Sequence, residues 1–128
     1  PEVHLSITHS SGYVWVAVSS SPIGIDFEKI NIEYKNELEI AFSKSDWEFV
    51  SSDVQKIYQY FSLKESYSKM TGTGFTMEPA KIDLKLLKKN SFYTLFEKNE
   101  ILFVFTAIAL HLDPNKFLDL HLKSLHLE

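Results

Sequence analysis

The stretch Gly24-Ile25-Asp26-Phe27-Glu28 ends an apolar run with two carboxylates one residue apart. Alternate residues of a strand face the same side, so Asp26 and Glu28 are expected to project together from one face of a sheet and could bind one cation. A third acid, Glu65, lies in Lys64-Glu65-Ser66-Tyr67-Ser68-Lys69. Each of these acids falls where the hydrophobic pattern would otherwise place a core residue. Carboxylates at such positions require a partner.

Strands and helices alternate along the rest of the chain. Strands are predicted at residues 3–7, 13–19 and 23–28, with a turn across Ser10-Ser11-Gly12 and a further set of strands at 81–87, 92–96 and 101–110. Short helical segments are expected after the polar stretch 31–36, with Ser43 as an N-cap. A longer helix is predicted from about Asp53 to Met70, stopped by Thr71-Gly72-Thr73-Gly74.

Length and composition predict a compact domain. The chain has 128 residues, of which 45% are hydrophobic and 14% aromatic, enough for one packed core. Aromatic residues favour sheets and helix-on-sheet cores. We therefore expect an α+β fold, with an antiparallel sheet packed against the long helix, in a single domain over residues 1–128.

Charge and residue usage exclude several classes of function. The formal charge of −4, from 17 acids against 13 Lys and Arg, argues against nucleic acid as the main partner. The chain has no cysteine, which removes disulfides and thiolate metal sites and fits a cytoplasmic location. The longest apolar stretch, residues 101–110, is about half of the ~20 residues that a membrane helix needs, so no membrane association is expected.

The predicted long helix brings a carboxylate and an ammonium together. Glu65 and Lys69 are four residues apart and therefore lie on one helix face. If Asp26 and Glu28 face this helix, three carboxylates meet one lysine. Oxygen ligands of this kind suit Mg²⁺, which keeps several waters and completes its octahedron with substrate phosphate oxygens. A phosphate-bearing substrate is the expectation.

A simpler interpretation remains open for each acid. Asp26 could lie at an exposed strand end, and Glu28 could pair with Lys29 or Lys35. Glu65 and Lys69 could form a surface ion pair that contributes little to stability.

Several motifs, taken in order, resemble a known family. They are Leu5-Ser6-Ile7-Thr8-His9-Ser10, Pro22-Ile23-Gly24-Ile25-Asp26-Phe27-Glu28-Lys29-Ile30, Phe42-Ser43-Lys44-Ser45-Asp46-Trp47, Phe61-Ser62-Leu63-Lys64-Glu65-Ser66-Tyr67-Ser68-Lys69 and Gly72-Thr73-Gly74-Phe75. Their order and spacing resemble the 4'-phosphopantetheinyl transferases of the type that activates surfactin synthetase. Thr8 stands where the family usually has serine, and Phe27 stands where it usually has a small aliphatic residue.

The resemblance implies a reaction and a set of roles. The phosphopantetheine arm of coenzyme A would pass to a serine of an acyl, peptidyl or polyketide carrier protein, releasing adenosine 3',5'-bisphosphate. Mg²⁺ would be held by Asp26, Glu28 and Glu65, and Glu65 would also be the candidate base. Lys69 would neutralise phosphate charge. Contacts to the coenzyme would come from Thr8, His9 and Ser10, with Lys64 as a further positive charge or a solvated side chain.

The chain resembles only the second of the two halves that build this type of enzyme. The small trimeric holo-acyl-carrier-protein synthases are of similar length, but their His-Ser motif follows the Lys-Glu-Ser helix rather than preceding it. We therefore expect either a missing N-terminal half or a homo-oligomer that completes the cleft. A non-catalytic half-enzyme or dimerisation remnant is the alternative function. A basic run, Lys81, Lys85, Lys88 and Lys89, is either solvated or attracts the carrier protein or the coenzyme.

Overall fold

The computed structural model has the α+β fold that the sequence predicts, and it describes residues 3–31, 33, 36–72, 78–111 and 121–126. The strands are β1 (His4–Ser10), β2 (Tyr13–Ser19), β3 (Ile23–Lys29), β4 (Ser91–Lys98), β5 (Ile101–Ala109) and β6 (His121–His126). The helices are α1 (Lys44–Val50), α2 (Val54–Thr71) and α3 (Leu84–Leu87), with 3₁₀ turns at Asn36–Ala41 and Pro79–Lys81.

The strands form two three-stranded antiparallel sheets, in the orders β1-β2-β6 and β3-β5-β4. The sheets meet where β1 lies beside β3. There the buried Ser6 hydroxyl accepts a hydrogen bond from the Ile25 backbone N–H at 3.0 Å. This contact brings the predicted Thr8-His9-Ser10 segment close to the strand that carries Asp26 and Glu28.

Strand β1 turns its polar residues inward. Ser6 and Thr8 are buried, whereas Leu5 and Ile7 are 62% and 55% exposed. Alternation in the sequence correctly predicts a strand here, but alternation alone does not say which face is covered. The hydrogen bond from Ile25 to Ser6 supplies a reason for burying the polar side. The outer side of β1 is therefore an apolar surface.

The faces of β3 differ in chemistry. Phe27 packs in the aromatic core, stacked on Phe103 with ring centroids 5.0 Å apart and edge-on to Tyr13 at 5.7 Å. Because neighbouring residues of a strand point to opposite faces, Asp26 and Glu28 face the other way, toward α2. Phe27, which stands where the resembling family usually has a small aliphatic residue, thus lies on the side of the strand away from the acids.

Helix α2 begins and ends as the sequence predicts. Asp53 caps its start by accepting hydrogen bonds from the N–H groups of Gln55 and Lys56, at 2.9 and 3.4 Å. Gly72 ends it in the left-handed conformation, with φ of 71°. Ser43 likewise caps α1 by accepting from the Asp46 N–H at 3.2 Å. The rest of the glycine motif, Thr73-Gly74-Phe75, lies outside the described residues.

The prediction of a strand at residues 81–87 is wrong. A 3₁₀ turn begins at Pro79, where proline suits the first turn, and ends at Lys81. Helix α3 follows, started by Asp83, whose side chain accepts from the Lys85 N–H at 2.9 Å. Leu84 and Leu87 are buried at helical spacing, which the strand interpretation overlooked. The strands predicted at 92–96 and 101–110 are confirmed within β4 and β5. Among the helices of the described ranges, none is long and apolar enough to cross a membrane.

Candidate active site

Asp26 lies in the middle of β3 and is only 6% exposed, so the interpretation that places it at an exposed strand end is wrong. Its Oδ1 is 3.5 Å from Lys69 Nζ. Its Oδ2 is also buried and has no hydrogen-bond partner among the N–H and hydroxyl groups of the described residues. The Glu28 carboxyl group shares a side-chain hydrogen bond with Asp26, so the two acids lie side by side, an arrangement suited to a cation.

Lys69 connects three elements at one point. From α2, its ammonium donates to the Ile25 carbonyl on β3 at 2.9 Å and to the Ile7 carbonyl on β1 at 3.4 Å, in addition to its ion pair with Asp26. The side chain remains about one third exposed, so its charge can also be felt by a ligand at the surface. Lys69 is therefore a structural link whose charge remains accessible at the surface.

Glu28 and Glu65 share the electrostatic environment of Asp26. Burial, reinforced by the negative charge of Asp26, raises the pKa of Glu28 to about 9. Burial and the charge of Asp26 also raise the pKa of Glu65, with Lys69 opposing the shift. A pKa of about 9 means that Glu28 favours the protonated form at neutral pH when nothing positive besides Lys69 is near. The structure brings Asp26, Glu28, Glu65 and Lys69 into one cluster.

The cluster is suited to a divalent cation that takes its remaining ligands from water and substrate. In the described part of the chain, no three histidine, aspartate or glutamate side chains are grouped closely enough to hold a metal ion by themselves. The carboxyl groups of Asp26, Glu28 and Glu65 nevertheless outnumber Lys69, so a bound cation would favour their ionised forms. Mg²⁺ commonly takes one or two protein carboxylates and fills its remaining positions with water and phosphate oxygens. The oxygen donors present suit that mode of binding.

The Thr8-His9-Ser10 segment ends β1 next to this cluster, since Ile7 and Ile25 accept from the same ammonium. His9 is exposed and Ser10 is half-buried, and both line a small cavity of about 160 Å³ with the turn residues Ser11 and Gly12. Thr8 is only 4% exposed and faces inward. His9 and Ser10 are therefore open to a ligand, whereas Thr8 is covered.

Lys64 occupies a different environment from the other predicted site residues. It is fully buried, so the interpretation of a solvated side chain is wrong. Its ammonium donates to the Ala41 and Pro79 carbonyls, both at 2.9 Å, and lies 4.6 Å from the centre of the Phe42 ring. Burial lowers the pKa of this lysine. Lys64 joins α2 to the segments before α1 and before α3, on a face apart from Lys69.

The basic run is exposed at each of its lysines. Lys81 lies 3.9 Å from Glu78 in a surface ion pair, and Lys85 and Lys88 belong to α3 and its end. This surface is distinct from the acid cluster.

Sequence reasoning missed the residues that seat α2 on the sheet. Ser62 and Ser66 form hydrogen bonds with Thr106 of β5, and Gly24 lies against the helix backbone. A signal was available, because Glu65 and Ser66 lie three and four residues after Ser62, and Lys69 lies four and three residues after them, so all four share one helix face.

Comparison with known proteins identifies the class to which this arrangement belongs. The sequence profile of the 4'-phosphopantetheinyl transferase superfamily matches residues 22–119, which includes β3, α2 and β5. The chain belongs to the 4'-phosphopantetheinyl transferase superfamily.

Individual relatives point to one branch of that superfamily. The chain is 38% identical over 85 residues to 4'-phosphopantetheinyl transferase Sfp of Bacillus subtilis strain 168, covering 60% of this chain and 37% of the relative. It is 35% identical over 82 residues to a 4'-phosphopantetheinyl transferase of Bacillus subtilis, with the same coverage. With 4'-phosphopantetheinyl transferase gsp of Aneurinibacillus migulanus it shares 31% identity over 78 residues, or 57% of this chain and 33% of the relative. The matched part of this chain thus spans about a third of the length of each of these relatives.

Proposed function

We propose that this chain supplies the metal and phosphate site for transfer of 4'-phosphopantetheine from coenzyme A to a serine of an apo carrier protein. The products would be the holo carrier protein and adenosine 3',5'-bisphosphate. The observation that carries the proposal is the pairing of Lys69 with the buried Asp26, beside two carboxyl groups whose pKa values are raised. Membership of the superfamily supports the same reaction.

The acid cluster is the proposed metal site. Asp26, Glu28 and Glu65 would hold Mg²⁺, which when bound supplies positive charge to the pyrophosphate of the coenzyme. Asp26 Oδ2, which accepts from no N–H or hydroxyl group of the described residues, would be one of its ligands. Arrival of the cation would lower the pKa of Glu28 and release its proton, because a nearby positive charge favours the carboxylate.

The remaining roles follow from position and charge. The carrier serine oxygen would form a bond to the phosphorus that bears the pantetheine arm, while the bond from that phosphorus to the oxygen of adenosine 3',5'-bisphosphate breaks. Glu65, ionised when the cation is bound, would accept the serine proton. Lys69 would neutralise charge that develops on the leaving phosphate. His9 and Ser10, both accessible, would contact the phosphates of the coenzyme.

A second structural unit is part of the proposal. The apolar outer side of β1, with Leu5 and Ile7 more than half exposed, is suited to burial against another surface. That surface would be either the first half of a two-half enzyme or a second copy of this chain. We also propose that the protein acts in the cytoplasm, which its lack of cysteine fits. A non-catalytic half-enzyme or dimerisation module that keeps the fold is the alternative.

The deciding experiment measures transfer and metal binding on the same protein. The chain is incubated over a range of concentrations with Mg²⁺, coenzyme A and an apo acyl or peptidyl carrier protein, and the carrier is weighed by mass spectrometry. We expect it to gain the mass of phosphopantetheine, with a rate that rises more than linearly with protein concentration if two copies complete the cleft. Binding of Mn²⁺ as a spectroscopic substitute for Mg²⁺ is followed by electron paramagnetic resonance with coenzyme A present.

Matched variants separate the site from the fold. Asp26→Asn is expected to abolish both transfer and Mn²⁺ binding, whereas Glu48→Gln, an exposed change on α1, should leave both intact. Wild-type protein that binds Mn²⁺ and coenzyme A but never modifies a carrier would favour the non-catalytic alternative. Full activity of Asp26→Asn would contradict the metal assignment.

A further inference from the structure

Hydroxyl groups form part of the contact between α2 and the sheet, where an apolar seam is usual. Thr106 of β5 is fully buried, as are Ser62 and Ser66 of α2. The Thr106 Oγ1 lies 2.7 Å from the Ser62 Oγ and 2.8 Å from the Ser66 Oγ. The Ser66 Oγ also donates to the Thr106 backbone carbonyl at 3.3 Å. These three side chains form one continuous hydrogen-bonded chain.

Counting the available protons shows which of the three hydroxyl groups donates in each hydrogen bond. Each hydroxyl carries a single proton, so a proton that Ser66 gives to the Thr106 carbonyl is not available for the Thr106 hydroxyl. Thr106 must then donate to Ser66, and Ser62 must donate to Thr106. This ordering uses each proton once and leaves no buried hydroxyl proton without an acceptor.

The hydroxyl chain stands directly beside the proposed metal site. Thr106 is the cross-strand partner of Asp26 in the antiparallel pair of β3 and β5. Ser66 follows Glu65 in the sequence, and the two serines share a helix face with Glu65 and Lys69. The same three hydroxyls therefore join the helix that carries Glu65 to the strand that pairs with the one carrying Asp26.

The helix is also held close to the sheet by the absence of a side chain at Gly24. A Cβ built there would collide with the backbone carbonyl oxygen of Ser66. Small residues on both surfaces thus bring the backbones of α2 and β3 together, and the hydroxyl bonds define the position at which they stop. An apolar helix–sheet contact could slide more easily, because dispersion contacts have little directional preference whereas hydrogen bonds do.

We infer that Thr106 is a positioning residue, whose hydroxyl bonds to Ser62 and Ser66 set the location of Glu65 relative to Asp26 and Glu28. This inference rests on the proposed function as far as the metal is concerned. The hydrogen bonds of Thr106 and the position of α2 are features of the chain itself. Loss of the Thr106 hydroxyl would leave the Ser62 proton without its acceptor and Ser66 without its donor. The helix would shift to seek other partners, and the acids would separate.

The test compares two substitutions that differ in what they retain. Thr106→Val keeps the shape of the side chain and removes the hydroxyl, whereas Thr106→Ser keeps the hydroxyl and removes a methyl group. Ile108→Val, on the same strand and buried in the apolar core, is the control for a general loss of packing. Mn²⁺ binding is measured by electron paramagnetic resonance with coenzyme A present, and crystal structures are determined for the wild type and Thr106→Val.

We expect Thr106→Val to weaken Mn²⁺ binding by about 10- to 100-fold, the range seen when a residue that orients a metal ligand is removed. Thr106→Ser and Ile108→Val should retain wild-type affinity. In the crystal, the 2.9 Å contact from Lys69 Nζ to the Ile25 carbonyl should lengthen in Thr106→Val. Wild-type Mn²⁺ affinity and an unmoved helix in that variant would overturn this inference alone. A wild-type chain that binds no Mn²⁺ would overturn the proposed metal site and, with it, this inference.

Discussion

Gly24 of β3 lies directly against the backbone carbonyl of Ser66 in α2, in a space that has no room for a methyl group. This contact stands two residues before Asp26 and one residue after Glu65. The glycine therefore sets how closely the two acids can approach, although neither Gly24 nor the Ser66 carbonyl is itself a candidate ligand.

Gly24→Ala is the first prediction. The new Cβ would meet helix backbone rather than a movable side chain, so we expect a loss of about 1–3 kcal/mol or more in the free energy of unfolding. Mn²⁺ binding should weaken as α2 moves away. Urea unfolding and Mn²⁺ titration measure the two effects.

Gly72→Ala provides the comparison. Its Cβ would meet no atom within 4 Å, but φ of 71° strains any residue with a side chain, so a loss of about 1–2 kcal/mol is expected without the change in Mn²⁺ affinity. Equal effects of the two variants on the metal would show that the Gly24 contact does not control the site.

Lys69→Met should impair both the site and the junction of the sheets. It removes the partner of Asp26 and the donor to the Ile25 and Ile7 carbonyls. We expect transfer to fall by about 100-fold or more, since one electrostatic donor at a reacting centre is typically worth that much. Steady-state assays by mass spectrometry measure it. Lys44→Met, an exposed change on α1, should behave as wild type, and unchanged transfer by Lys69→Met would exclude a role at the phosphate.

Lys64→Met separates a structural lysine from a ligand-binding one. Methionine keeps much of the buried stem but leaves the Ala41 and Pro79 carbonyls without their shared donor. We expect a loss of about 1–3 kcal/mol of stability, with coenzyme A affinity unchanged in the folded protein. Chemical denaturation and calorimetry provide the two numbers. A loss of coenzyme affinity at unchanged stability would instead assign Lys64 to the coenzyme.

The pH dependence of stability should report the ionisation of Glu28. Burial and Asp26 raise the pKa of Glu28 to about 9 from an ordinary value near 4.5. The folded chain therefore retains a proton that the unfolded chain releases between those pH values. The contribution of Glu28 to the free energy of unfolding must fall as pH rises through this window.

Melting temperatures taken in chelator from pH 5 to pH 9 test this expectation. Glu28→Gln, which cannot ionise, should lose less stability over the range than the wild type does. Adding Mg²⁺ and coenzyme A should stabilise the wild type most at the alkaline end, because the ionised acids bind the cation. Parallel curves for wild type and Glu28→Gln would show that Glu28 ionises normally.

Much of the secondary structure was predictable because its signals are local. The caps at Ser43 and Asp53, the glycine stop at Gly72 and the strand alternation each depend on residues a few positions apart. The segment 81–87 was predicted wrongly because its apolar residues suit either a strand or a short helix. The Asp83 side chain caps a helix start by accepting a hydrogen bond from the Lys85 N–H, which favours the helix.

The site was predictable in its members and only partly in its arrangement. Spacing alone placed Glu65 with Lys69 on one helix face and Asp26 with Glu28 on one side of a strand. Their meeting was an assumption, which the 3.5 Å pair of Lys69 and Asp26 now supports in geometry. Lys64 could not be predicted, since its carbonyl partners at Ala41 and Pro79 lie 23 and 15 residues away in the chain.

By itself, the sequence determined the residue types and their periodicity, and hence an α+β fold, two pairs of side chains that each share one face, and membership of one enzyme superfamily. The tertiary structure decided which acids are buried, which lysine forms an ion pair with Asp26 and how far the helix lies from the sheet. The physical reason is that charge and hydrogen-bond capacity belong to individual side chains, whereas desolvation and pairing arise only when distant segments pack together. Asp26 becomes a buried, ion-paired carboxylate only when α2 packs against β3 and brings Lys69 to it.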